Sequence, residues 1–478
     1  MIKYNSDRKM IFNNLVRIIM TFQILLKRNY INKLLNYKSI PFALVLLSFN
    51  LIAIQGIAQN ATIKLIVLDP GHGHATYMQG RMYEGLDSEV HVYAPAGPDV
   101  ETYLKSINGM NSRASNPTKW KMVVYTGADY LERMLAEKKG NAVIISGNNS
   151  KKAEYMRRSI EAGMHVLADK PLAVTPKDFQ MLKKSFKLAR KKKVLIFDPM
   201  DLRYDISNIL QKELSELPEL FGKLKKGSED DPSLIQENLH HFLKFSGNEP
   251  ARRPAWFFDI DQQGHGITDV STHLVDMTQW AGFPGVILNY KKDIKILSSK
   301  EWPTDLTPSE FKRVTRVDYP DYLKKYVKDS ILSVLANGEI NYTIKGVHAK
   351  VTVNWRYREP AGSSDTHYAL MRGTKADLEL RQGADEKYRA TLYIKAAPGI
   401  PEAKFTSAIE SVNARMQQKY PGFDLIQKGD EWIVQPGTFT RTNSAEVAIG
   451  YILNNSMPEW EVPNMIAKYY TTTGALGY

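Results

Sequence analysis

The chain has no cysteine among its 478 residues. Disulfides, thiolate metal sites, cysteine nucleophiles and lipid-modified cysteines are thereby excluded, although the redox state of the compartment is not. Long apolar runs are also scarce. The best one, Ile40 to Ile54, is broken by Pro41, Ser48 and Asn50 and falls short of the roughly 20 residues that a bilayer-spanning helix needs. No internal repeat or low-complexity stretch is evident. Cationic charge is in excess, with 64 Lys and Arg against 51 Asp and Glu, but the first 58 residues alone hold eight basic residues and one acidic one. Taking that +7 from the net +13 leaves +6, so the basicity is largely a property of one terminus and argues little for a nucleic-acid partner. What remains, 43% hydrophobic and 24% charged, is an ordinary globular composition with room for two or three domains.

The N-terminus reads as an address. Lys27, Arg28, Lys33 and Lys38 precede the apolar run, and Gly56-Ile57-Ala58 follows it as a small-x-small site. Residues 1–58 are therefore expected to be a signal peptide. The mature protein would start near Gln59, be exported, in all expectation to the periplasm, and keep no stable membrane span.

Beyond that point a parallel sheet is written in the pattern. Ile63 to Leu68 is an apolar, β-branched run of the kind buried on both faces, and it leads into Asp69-Pro70-Gly71-His72-Gly73-His74-Ala75. Glycines spaced by one residue after a buried strand let the backbone turn tightly against a pyrophosphate and set it at the amides of a following helix. Further strands are expected at Val90 to Ala94, Lys121 to Thr126, Ala142 to Ser146, His165 to Ala168 and Val194 to Asp198. Helical stretches such as Tyr130 to Lys139 and Ala153 to Ala162 lie between them. This alternation predicts a doubly wound α/β domain over residues 59–197 with ligands beyond the carboxyl ends of its strands. Ala94-Pro95-Ala96-Gly97-Pro98 offers no acidic group for an adenosine ribose, Asp99 comes several residues late, and no arginine stands ready for a 2′-phosphate. NAD and NADP both remain open. The basic run Lys183 to Lys193 reads as an amphipathic helix, with Phe179, Leu182, Phe186 and Leu188 between its charges.

Two segments carry a family resemblance. Ala162 to Ala173 contains Asp169-Lys170-Pro171 after a strand, and Gly264-His265-Gly266-Ile267-Thr268-Asp269-Val270-Ser271-Thr272-His273 combines a glycine-rich turn with an Asp-x-x-x-His spacing. Together they resemble the Glu-Lys-Pro signature and catalytic turn of the Gfo/Idh/MocA oxidoreductases, with aspartate in place of the glutamate. The resemblance implies a Rossmann domain followed by a C-terminal α+β domain with an open, mainly antiparallel sheet. It further implies an NAD(P)-dependent enzyme in which Lys170, Asp269 and His273 are catalytic. Gly71, His72, Gly73, His74, Asn149, Asp169, Lys170 and Pro171 would line the cofactor, and Lys152 stands where the family often has a histidine.

The residues themselves are compatible with those roles. A lysine at a strand end can polarise a carbonyl or alkoxide oxygen, and on a helix Asp269 and His273 would share one face so that the carboxylate orients the imidazole. Arg203 is a candidate for substrate binding or for a structural salt bridge. Arg253 and Trp256 could line a sugar face, and tryptophan is equally a core residue. His265, Asp269 and His273 recur every four residues, but about 12 Å of helix separates the outer histidines, so a metal site there would have to recruit His240 or His241, and none is expected.

Residues 198–478 should form the second domain. Strands are expected at Ser233 to Phe245, Glu339 to Lys345, Ala349 to Tyr357, Tyr368 to Arg372, Ala376 to Leu380 and Ala390 to Lys395, and closing helices at Glu446 to Asn455 and Val462 to Tyr470. Its open sheet offers a surface for self-association. The family generally acts on sugars and polyols, so the expected partner is a small carbohydrate, with no nucleic acid. Export makes free NAD scarce, so a tightly held cofactor is expected. Two rival outcomes are a glycoside hydrolase working through transient oxidation and elimination, and a non-catalytic sugar-binding protein.

Overall fold

A computed structural model describes residues 62–246, 249–358, 364–440 and 442–478. The expected signal, residues 1–58, lies outside the described residues.

Six parallel strands form the first sheet: β1 (Leu65–Leu68), β2 (Glu89–Tyr93), β3 (Lys121–Tyr125), β4 (Ala142–Ile145), β5 (His165–Ala168) and β6 (Ile196–Phe197), in the order β3-β2-β1-β4-β5-β6. Every residue of β1 and β4 is buried, as uninterrupted aliphatic runs in the centre of a two-faced sheet require. One face packs Ile66, Val143 and Val166 against helices Asn149–Glu161 and Pro176–Lys192. The other packs Val67, Val92 and Ile144 against helix Pro98–Ser112. The order of strand addition reverses between the parallel neighbours β1 and β4, and the crevice beyond their carboxyl ends is where such a sheet takes its ligands.

The segment after β1 departs from expectation. Gly73–Gln79 is a short 3₁₀ helix and not a long α-helix. Gln79 is drawn inward, accepting from the hydroxyl of Tyr103 at 2.6 Å, while its carbonyl accepts from the Trp120 indole at 2.8 Å. Gly80 follows directly, and the turn cannot lengthen into a regular helix without giving up those bonds.

The second sheet has ten strands: β7 (Leu234–Leu243), β10 (Ile294–Leu306), β11 (Val327–Lys328), β12 (Ile331–Ile344), β13 (Val347–Arg358), β14 (Thr366–Arg372), β15 (Ala376–Gln382), β16 (Thr391–Ala396), β17 (Phe423–Lys428) and β18 (Glu431–Pro436). Between β7 and β10 the chain makes a small hairpin of β8 (Phe245–Ser246) and β9 (Glu249–Pro250). The sheet is antiparallel except where β13 pairs with β7 in parallel, which sets Trp355 beside His240. Val347, Ala349, Val351, Val353 and Trp355 alternate into the core. Helices Ile206–Ser215, Ser271–Gly282 and Glu402–Lys419 cover that face. The last two helices return to the first sheet: Ser444–Asn454 buries Ala448 and Ile449 with Val67, and Glu461–Gly474 buries Met465 and Tyr469 with Val166.

Beneath the crevice lies a buried ion cluster. Arg203 donates to both oxygens of Asp276 at 2.7 and 2.6 Å and to both oxygens of Glu461 at 2.9 and 3.0 Å. Lys468 reaches Asp276 at 2.9 Å and Asp198 at 2.7 Å. Arg203 therefore belongs to the scaffold and not to a substrate surface, which corrects that half of its sequence reading. Two cations face three carboxylates here. Burial pushes the carboxyls of Asp198 and Glu461 up, whereas at Asp276 the upward pull of burial is outweighed by Arg203 and Lys468 and the group titrates well below its usual range.

Removing one partner from such a cluster leaves buried charge uncompensated. Arg203→Met is expected to lower the unfolding free energy by about 3–5 kcal/mol, read from the urea midpoint. A loss under about 1 kcal/mol, the scale of an exposed pair, would show that the cluster is not a structural anchor.

Candidate active site

Lys170 lies two residues beyond β5 and Asp269 lies in the turn before helix Ser271–Gly282, and the two meet: Lys170 Nζ is 2.6 Å from Asp269 Oδ1, with both side chains under a tenth exposed. The other carboxylate oxygen accepts from Gln263 Nε2 at 2.9 Å. Asn149 Nδ2 donates to the Gln263 carbonyl at 2.7 Å, Asn148 Nδ2 to Gln262 Oε1 at 2.7 Å and the Ser150 amide to the Gln262 carbonyl at 3.0 Å. The start of helix Asn149–Glu161 is thereby stitched to the turn that carries Asp269. That turn needs its glycines. A Cβ on Gly266 would lie 1.9 Å from the Ala336 carbonyl oxygen, and Gly264 has a φ of +96°.

The expected Asp269–His273 pair is not formed. The helix starts at Ser271, two residues after Asp269, so the two side chains do not share a helical face and both carboxylate oxygens are spent on Lys170 and Gln263. His273 stands in the first turn of that helix with Nδ1 lacking a hydrogen-bond partner. Burial, then the Lys170 ammonium and His74, push its pKa well below the ordinary value, leaving a neutral imidazole.

On the first-domain side, His72 Nδ1 and His74 Nδ1 each address one oxygen of Asp169, at 3.0 and 2.9 Å. Burial lowers the pKa of His72, the Asp169 carboxylate raises that of His74, and the imidazoles hold Asp169 well below its usual range against the upward pull of burial. Lys152 is fully buried beneath them and donates from Nζ to the Asp169 carbonyl at 2.6 Å, with its pKa pushed down by burial to about 8. Lys170–Pro171 is a cis peptide.

The second domain supplies the opposite wall. His72, His74, Asn149, Asp169, Lys170, Gln263, Asp269 and His273 line one cleft of about 230 Å³ with His240, Lys244, Arg253, Trp256 and Trp355. His240 Nδ1 is 2.8 Å from Asp365 Oδ2, its ring lies 5.0 Å from that of Trp355, and Lys244 shares the same carboxylate. Arg253 is locked by the carbonyls of Phe242 and His241 at 2.8 and 3.0 Å over the faces of Phe257 and Trp355, and burial pushes its pKa down to about 10. His265 turns away to Glu301 at 2.8 Å, so the four-residue histidine series forms no common face. Gln263, Lys244, Trp355 and Asp365 were not singled out from sequence. Only the tertiary pairing of β7 with β13 and β14 brings the last two to the cleft.

A dinucleotide would need a track past the glycine turn. Two further cavities supply it: one of about 310 Å³ lined by Asp69, Pro95 to Asp99, Asn148 and Lys151, and one of about 200 Å³ at Gly71 to Gly73 under Arg252 and Arg253. They share Gly71, Asp99, Arg252 and Pro254, and the smaller one shares His72, Arg253 and Phe257 with the cleft. Space around Gly71 is tight, since a Cβ there would meet the Trp256 ring at 3.1 Å and Asp99 at 3.3 Å, whereas Gly73 is open. Trp256 Nε1 donates to Asp99 at 2.9 Å and Arg252 reaches the same carboxylate at 3.2 Å. The residues therefore fit an extended NAD(P), with two arginines over its charged middle and Lys170 at its far end. Trp256 is engaged with the turn and with Asp99 more than with the open cleft.

Comparison with known proteins agrees with this architecture. Residues 91–198 match the Gfo/Idh/MocA model described as "Oxidoreductase family, NAD-binding Rossmann fold", and residues 210–478 match "Putative oxidoreductase C terminal domain". Among solved structures, a "putative oxidoreductase" from Parabacteroides merdae ATCC 43184 is 45% identical over 87% of this chain and 97% of its own, with a TM-score of 0.85. One from Thermotoga maritima is 14% identical over 86% and 96%, with a TM-score of 0.55. A 3-ketoreductase from Actinomadura kijaniata, in complex with TDP-benzene and NADP in an open conformation, is 10% identical over 87% and 97%, with a TM-score of 0.52. The last two likenesses concern the fold alone. No curated protein matches the chain.

The buried amine of Lys152 makes stability depend on pH with a definite sign. Its pKa falls from 10.5 to about 8 on folding, so between those values the unfolded chain binds the extra proton and stability rises with pH. The stability of the native chain relative to Lys152→Met is expected to be flat below pH 8 and to climb from pH 8 to 10.5 in urea titrations. A difference that does not change over that window would rule the depressed amine out.

Proposed function

The chain belongs to the Gfo/Idh/MocA oxidoreductases, and from that membership we propose that it exchanges a hydride between a tightly held NAD(P) and a hydroxyl-bearing carbon of a sugar or polyol. One observation above all supports this reading: an amine from the first domain and a carboxylate from the second meet at 2.6 Å in a cleft that also holds a neutral, unpartnered imidazole. When bound, the nicotinamide ring supplies the hydride acceptor or donor. Lys170 Nζ holds the reacting oxygen and stabilises the charge that develops on it. Asp269 keeps that amine aimed and balances its charge. His273 accepts the hydroxyl proton on its ring, a task for which its neutral state prepares it.

The polar walls suit a carbohydrate. Arg253, His240 and Lys244 can donate or accept across several hydroxyls, and Trp355 offers a face to a pyranose ring. Asp99 lies where the two cavities of the track join. Its bonds to Arg252 and Trp256 clasp the track at mid-length, which favours retention of the cofactor. Retention fits the export, to the periplasm, that we infer from the N-terminal pattern. A second reading, glycoside cleavage through transient oxidation, draws support from the second cleft imidazole, His240, whose Nδ1 is held by Asp365. Release of free sugar without net formation of NADH would favour it.

Mass spectrometry of the denatured protein's supernatant is expected to find NAD or NADP near one equivalent. Lys170→Gln is expected to keep the nucleotide and lose about 100-fold or more in hydride transfer, followed at the nicotinamide absorbance. Wild-type turnover in Lys170→Gln, or no nucleotide in the native protein, would overturn the assignment.

A further inference from the structure

We propose that His72, His74 and Asp169 form a binding site for a divalent transition-metal ion, with its open positions facing the substrate cleft. Nothing in the redox reading requires such an ion.

The argument begins with the turn. His72 and His74 are two residues apart around Gly73, and the short 3₁₀ helix that replaces a regular α-helix turns both rings to the same side, where they meet edge to face with centroids 4.5 Å apart. Their Nδ1 atoms converge on one carboxylate, each on a different oxygen, at 3.0 and 2.9 Å. One donor atom from each of the three residues lies within 4.8 Å of the other two. Donors placed about 2.1 Å from one ion are about 3.0 Å apart at right angles, a separation within the 4.8 Å that bounds this set.

The surroundings are those of a ligand set with support behind it. Ser146 Oγ donates to Asp169 Oδ2 at 3.2 Å and Lys152 Nζ fixes the Asp169 main chain at 2.6 Å, so the carboxylate is held in place from below. Three protein donors leave positions for a water or for substrate oxygens, and all three residues line the cleft that contains Lys170 and His273. Two nitrogens and a carboxylate suit Zn²⁺, Fe²⁺ or Mn²⁺ and not the all-oxygen preference of Ca²⁺ or Mg²⁺. An ion there would take a substrate hydroxyl or carbonyl oxygen as a ligand and act as a Lewis acid beside the Lys170 amine.

The test uses the full chain, stripped with a chelator and titrated with Co²⁺, whose visible absorption reports nitrogen and oxygen ligation, and separately with Zn²⁺ by calorimetry. One ion per chain is expected, with visible bands, a rise in melting temperature and competition between the two ions. His74→Gln and Asp169→Asn should each weaken binding by about 100-fold or more, while His265→Gln, outside the cluster, should leave it unchanged. Failure of the stripped native chain to bind either ion would overturn the proposal whatever the variants do, as would equal binding by His74→Gln. Nucleotide content measured on the same sample keeps this outcome separate from the redox reading.

Discussion

The buried contact between Lys170 and Asp269 is the constraint around which the cleft is arranged. It joins the end of a parallel strand to a turn of the second domain, and neither charge would be tolerated at that depth alone. Several features exist to hold it. Gly266 lets the Asp269 turn pass under the Ala336 carbonyl, Gln263 takes the second carboxylate oxygen, and Asn148 and Asn149 tie the same turn to the first domain. Three residues beyond His273, Asp276 anchors the same helix to Arg203 and Lys468, and Lys468 belongs to the C-terminal helix that packs on both layers. The reactive groups are thus placed by two buried charge clusters, one at the cleft and one beneath it.

Those clusters also divide the protonation states. His273 sits among cations without a carboxylate of its own and is neutral, whereas His74 leans on Asp169 and gains basicity. His240, on the far wall, is aimed by Asp365 through Nδ1. These three of the four imidazoles lining the cleft, equals in the sequence, therefore sit in three electrostatic settings, and the difference arises from neighbours that are remote along the chain.

Much of the fold was legible because it is periodic. The buried runs of β1, β4 and β5 and the alternation of β13 follow from local patterning, and Lys170 was found because Asp169-Lys170-Pro171 after a strand resembles a family signature contained within a few residues. What escaped depended on long-range company. The strand Ile294–Leu306, mixed in polarity, is read as a strand only once β12 lies beside it. Arg203 was ambiguous until Asp276 and Glu461 converged on it from 73 and 258 residues away. The four-residue spacing of Asp269 and His273 suggested a shared helical face, but the helix begins between them, and spacing has no such meaning across a helix start.

By itself the sequence determined the doubly wound first layer, the sheet-rich second layer and the residue types offered to the reaction, since burial periodicity and strand-end motifs are local properties of the chain. The tertiary structure alone decided which partners those residues meet: Asp269 with Lys170 and not with His273, Arg203 with the scaffold and not with substrate, His72 and His74 with Asp169. The physical reason is that a charge or an imidazole acquires its chemical state from whatever lies within a few ångströms, and those neighbours are assembled by packing between segments that the linear order keeps far apart.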